Sequence, residues 1–144
     1  MIIADKRDYK NGYRKNYSAY KKLEKNNDNV LTRCMLLFYS VECGLKCRLL
    51  AEWQIDSTKM IHNEKDDGFY GIIKTHDIQK ILKELKAPRY HFPVICTKHG
   101  NSVNAESFHQ LCRYGIMPKD RDKEKIKLYE NELIKVKEWI EEEI

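Results

Sequence analysis

The chain has 144 residues, 34% of them charged and 42% hydrophobic, with a formal net charge of +5. That length suits one domain with a single core, and the apolar share is too high for a disordered chain. Charges interrupt the longest apolar run and one stands at Asp5, so neither a membrane span nor a signal peptide is expected.

The positive charge is concentrated at one end. Residues 1–25 hold eight basic and three acidic side chains, and the rest of the chain carries nineteen of each. A basic arm of this kind suits nucleic acid or an acidic partner, and it equally suits a solvated helix face. Five cysteines stand at 34, 43, 47, 96 and 112, an odd number without a C-x-x-C pair. This usage predicts reduced thiols and a cytoplasmic protein. Six glycines and three prolines are few, which favours long helices over many short strands.

The first expected helix runs from about Asp5 to Glu24. Tyr9, Tyr13, Tyr17 and Tyr20 make one stripe at helical spacing, the single apolar face of that segment. The stripe suits packing on a neighbouring helix with the hydroxyls left in water. Base stacking beside Lys10, Arg14, Lys15, Lys21 and Lys22 is the nucleic-acid reading of the same residues. KNNDN at 25–29 breaks the pattern, with Asn26, Asn27 or Asp28 available to cap the next helix.

Val30 to Trp53 is apolar on nearly every side and is the expected spine. Leu31, Met35, Phe38, Val41, Leu45 and Leu49 recur every three or four residues, and Cys34, Leu37, Cys43, Cys47 and Leu50 fill other faces. Gly44 costs helix propensity but admits a close neighbour. Glu42 and Lys46 share a face, so an ion pair is expected. Residues 54–74 read as irregular, with a short hairpin or ordered loop and a DDG turn at 66–68. Thr75 is placed as the N-cap of a helix over Ile78, Ile81, Leu82 and Leu85, with Asp77 in its first turn and Pro88 ending it. Residues 89–103 read as extended or looped. Asn104 is placed as the cap of a helix through Tyr114, with Gly115 just past its end. Ile126, Tyr129, Leu133, Val136 and Ile140 mark a last helix. The sum is an all-α chain of about five helices, in one domain spanning 1–144.

Three stretches, YSVECGLKCRLL, HDIQKIL and FHQLCRYG, together with the opening helix pair, resemble the HEPN-domain family. The resemblance implies an up-and-down helical bundle that dimerises. It further implies RNA-directed work in toxin–antitoxin or phage-defence systems, commonly as a metal-independent ribonuclease. Other members of the family are non-catalytic and bind nucleotides, RNA or a protein partner. The family's catalytic signature, an arginine followed a few residues later by a histidine, is absent. Thirteen residues separate Arg48 from His62, one separates Arg89 from His91, and no histidine follows Arg113.

The reversed order is present: His109 and Arg113 stand four apart on one expected helix. Metal-free RNA cleavage needs a group for the 2′-hydroxyl proton and a cation for the phosphorane, and this pair has both types. The ordinary alternative is a polar face in which Arg113 pairs with a carboxylate such as Glu42. His76 is the third catalytic candidate, since a histidine at a helix start can meet an anion, although capping by Thr75 and Asp77 explains the same residues. Glu42, Lys46, Asp77 and Tyr114 are assigned to the polar pocket around these three. Cys43, Cys47, Cys96 and His99 have zinc-binding types without knuckle spacing, so no metal is assigned. No cofactor motif is found. Two functions follow: a divergent ribonuclease that uses His76, His109 and Arg113, or a non-catalytic assembly subunit with an exposed apolar patch around Trp53 or Trp139.

Overall fold

The computed structural model describes residues 3–26, 29–62 and 68–144. Its helices are α1 (Lys6–Lys25), α2 (Val30–Glu52), α3 (Lys59–His62), α4 (Gly68–Ile73), α5 (Ile78–Glu84), α6 (Phe108–Tyr114) and α7 (Lys123–Glu143). A small antiparallel pair, β1 (Ile95–Cys96) and β2 (Ser102–Val103), sits between α5 and α6, with Ile95 opposite Val103. The chain is all-α in class, and among the described residues no helix is long and apolar enough to cross a membrane.

α2 is the centre because it is apolar all round. Cys34, Leu37, Phe38, Val41, Leu45, Leu49 and Leu50 are fully enclosed, and α1, α5, α6 and α7 all pack on it. Gly44 marks the tightest crossing. A Cβ there would lie 2.8 Å from Tyr13 Cδ1 of α1 and 3.0 Å from Ile140 Cγ2 of α7, so the missing side chain lets three helices meet.

The tyrosine stripe packs inward, with Tyr13 and Tyr20 buried. Their hydroxyls are not left in water as the sequence predicts. Tyr13 donates to Glu141, and Tyr20 donates to Glu130 at 3.0 Å, because both acids of α7 face this seam. Glu130 also accepts from Arg33 Nε at 2.7 Å and from Arg33 Nη2 at 3.1 Å. Burial alone would raise the Glu130 pKa, but the donors Arg33, Lys127 and Tyr20 outweigh it and hold the carboxyl below its ordinary value.

Several expected helix starts move by a few residues. Asn26 is the C-cap of α1, and Asn29, in left-handed conformation, precedes α2 without a side-chain cap. Asn27, Asp28 and most of the DDG turn lie outside the described residues. Asp77, not Thr75, caps α5 by accepting from the amides of Gln79 and Lys80; Thr75 Oγ1 accepts from the Asp77 amide one step earlier. Ser107, not Asn104, precedes α6, while Asn104 Oδ1 accepts from the Glu106 and Ser107 amides in the turn before it. In each case neighbouring residues with the same capping chemistry compete, and the fold selects among them. α5 ends at Glu84, ahead of Pro88, with Lys86 left-handed at φ 55°. The 54–74 stretch holds α3 and α4 rather than a hairpin.

Candidate functional site

On α2, the four-residue spacing of Glu42 and Lys46 puts both groups on one buried face, 3.7 Å apart. Burial pulls the Lys46 pKa below its ordinary value, with Glu42 opposing that pull. The second oxygen of Glu42 reaches out of the helix surface. Its Oε1 lies 2.7 Å from Nδ1 of His76, the residue just before the α5 cap. The Glu42 side chain is 11% exposed and that of His76 is 48% exposed, so the contact runs from the protein interior to solvent. With the carboxylate as acceptor, Nδ1 donates.

α6 brings the second imidazole. His109 is buried, its ring 4.5 Å from the His76 ring and stacked on Phe38 of α2 at 5.8 Å. Its Nδ1 is enclosed without a hydrogen bond of good geometry among the described residues, although the Glu106 backbone nearby favours the protonated ring. Burial lowers the His109 pKa, the neighbouring His76 and Arg113 add to that, and Glu42 opposes it. The net effect keeps this ring neutral at lower pH than a free histidine.

Arg113, one turn on, is exposed and does not pair with Glu42. Its Nη2 donates to the Tyr39 hydroxyl, a side chain that leans toward the His109 ring at 6.4 Å. Tyr39 and Tyr114 both help hold Arg113 above its ordinary pKa, as a permanent cation. The arrangement is a carboxylate, two imidazoles, a phenol and a guanidinium in series, drawn from α2, α6 and the turn before α5. The groups of this set can take up or give a proton and hold an oxyanion.

Of the expected site residues, His76, His109, Arg113, Glu42 and Lys46 therefore converge. Asp77 is spent on its cap, and Tyr114, 66% exposed, stands on the rim beside Arg113. Two residues were missed. Tyr39 lies three before Glu42 on the same helix face, a spacing that could have revealed it. Tyr9 of α1 approaches Glu42 from the other side. Burial, followed by the negative charges of Cys43 and Glu42, raises its pKa to about 12.

Arg14, Lys15, Lys21 and Lys22 are exposed along α1, with Lys21 tied to Glu24 at 3.2 Å, while Lys10 is half-buried against α2. None of the five makes a hydrogen bond or ion pair with the imidazole cluster among the described residues. Trp53 stacks on Phe69 at 4.1 Å and Trp139 lies under Arg48 at 3.8 Å, so both indoles are covered rather than exposed as a patch. Among the described residues no three His, Cys, Asp or Glu side chains group as a metal site. No family model, no curated protein and no solved structure matches the chain.

Proposed function

We infer that the chain is a HEPN-like, RNA-directed effector, a divergent metal-independent ribonuclease of a toxin–antitoxin or phage-defence system that works as a homodimer. The observation that carries this reading is the Glu42–His76–His109 series ending beside Arg113 and Tyr39. Reversing the order of histidine and arginine on α6 preserves their shared face, so the residue types of the family's pair are present without its signature.

In this reading Glu42 fixes the His76 tautomer, and His76 Nε2 takes the proton of a ribose 2′-hydroxyl. The 2′-oxygen forms a bond to phosphorus, and the bond from phosphorus to the 5′-oxygen breaks. His109, in its protonated form, gives a proton to the leaving 5′-oxygen. The products are a 2′,3′-cyclic phosphate and a 5′-hydroxyl. Arg113, with Tyr39 steadying it, faces the charge that grows on the phosphoryl oxygens. The exposed cations of α1 supply salt-sensitive attraction to the RNA, about one unit of log–log slope per phosphate contact.

The test is cleavage of end-labelled RNA by the purified chain, with the product ends identified. Cyclic phosphate ends are expected, with no cutting of an oligonucleotide lacking the 2′-hydroxyl. His76→Ala or Arg113→Ala should abolish cutting and cellular toxicity while circular dichroism stays unchanged. Harmless expression together with intact RNA would reject the reading.

A further inference from the structure

A second polar feature lies around α2 from the imidazole cluster. The first turns of α1, the last turns of α2 and the end of α7 border an open cleft of about 330 Å³. Its rim carries Lys6, Arg7, Lys10 and Arg48, and its wall includes Cys47 and Ala51. Glu143 is the acid that lines it. The size falls at the lower end of small-molecule sites.

The charges there are unbalanced. Lys6 has a partner, Asp56, at 3.3 Å on the outer surface. Arg7, Lys10 and Arg48 form no ion pair among the described residues. Arg48 is half-buried on the Trp139 ring, and its Nη1 is enclosed with no acceptor among the described residues. A partly buried cation normally has a carboxylate against it, and here an aromatic face takes that place. Lys6 and Lys10 both come close enough to Cys47 to favour its thiolate, although burial prevails and raises that pKa. Several cations therefore converge on one apolar-walled space whose lining also includes Glu143 and Ile144.

We propose that this cleft binds a small amphiphilic anion, with a phosphate head held by Lys10, Arg7 and Arg48 and an apolar body seated against Cys47 and Ala51. The head supplies the missing negative charge, and the body covers the apolar wall. An inorganic anion would satisfy the first requirement alone, and a neutral apolar molecule the second alone. The proposal is independent of any RNA chemistry at the imidazole cluster.

The experiment titrates the full chain with decyl phosphate below its micelle concentration, read by calorimetry and by the fluorescence of Trp139 beside Arg48. Inorganic phosphate and decanol each carry half of the ligand, and adenosine monophosphate carries the same head on a polar body. Saturable one-site binding of decyl phosphate is expected, at least about tenfold tighter than each of these three. Lys10→Gln should weaken it about tenfold, whereas Lys15→Gln, on the outer face of the same helix, should leave it unchanged. The proposal is overturned if decyl phosphate does not saturate, if any one of the three comparison molecules binds as tightly, or if Lys15→Gln matches Lys10→Gln in effect.

Discussion

His76 Nδ1 and Glu42 Oε1 lie 2.7 Å apart, joining the turn before α5 to the centre of α2 across 34 residues of sequence. In the proposed reaction the contact orients His76 through Nδ1 and leaves Nε2 to act as the base. Glu42→Gln keeps an acceptor at the same atom but removes the charge that stabilises an imidazolium. Removing His76 outright should cost about 10²–10⁴ in single-turnover cleavage rate, the usual worth of a positioned base. Glu42→Gln should cost less, with KM little changed. An equal loss of both constants through unfolding would show in circular dichroism and would deny Glu42 a positioning role.

His109 ties the site to acid stability. Burial, His76 and Arg113 lower its pKa below the ordinary 6.5, so between those two values the unfolded chain binds more protons than the folded one. Its contribution to stability is therefore present in full above about pH 6.5 and is lost as pH falls toward the folded pKa. Thermal unfolding from pH 7.5 down to 5 should show a steeper decline for the native chain than for His109→Gln. In an NMR titration the His109 ring should turn at a midpoint below that of a free histidine. As the acid of the reaction, it should also make cleavage slow as pH rises through its folded pKa, which lies below 6.5.

The Arg33–Glu130 pair is buried, with side-chain exposures of 5% and 0%. Arg33→Met alone leaves a carboxylate enclosed with fewer donors and should cost about 3–5 kcal/mol in urea unfolding. The acid side has a definite sign. The Glu130 pKa is depressed in the folded state, so its contribution is present above the unfolded glutamate pKa and lost as pH falls through the folded one. Unfolding midpoints of the native chain and Glu130→Gln should therefore draw together in strong acid.

Gly44→Ala sets two effects against each other. Alanine favours the helix by about 1 kcal/mol. Its Cβ, however, would meet Tyr13 Cδ1 at 2.8 Å and Ile140 Cγ2 at 3.0 Å, and an overpacked crossing costs about 1–3 kcal/mol. Both neighbours are themselves buried, so the clash should win and the denaturation midpoint should fall. An unchanged or higher midpoint would mean that α1 or α7 can move aside.

The long helices were legible because each carries a repeated apolar spacing over about three turns or more: the tyrosines of α1, the spine of α2 and the Ile126–Ile140 stripe of α7. α3 and α4, of four and six residues, are too short to show a period. Half of the candidate site was legible for the same reason, since Glu42 with Lys46 and His109 with Arg113 are neighbours within a helix. The link between the two pairs, through His76, depends on how α5 and α6 dock on α2, which no local spacing encodes. Arg33–Glu130 also escaped notice, although Glu130 stands four after Ile126 and three before Leu133, inside an otherwise apolar stripe. A charge in that position is a sign of a buried partner.

Helices that meet through smooth apolar faces have several nearly equivalent alignments, each offset by a turn. The fork of Arg33 on Glu130, closed by the Tyr20 hydroxyl, admits one. We expect the double replacement Arg33→Met with Glu130→Met to retain most of the stability while broadening NMR resonances along α1 and α7, as the helices sample neighbouring offsets. Sharp, single resonances would show that shape alone sets the alignment. In that light the polar knot is a vernier mark, placed where α1, α2 and α7 could otherwise slide.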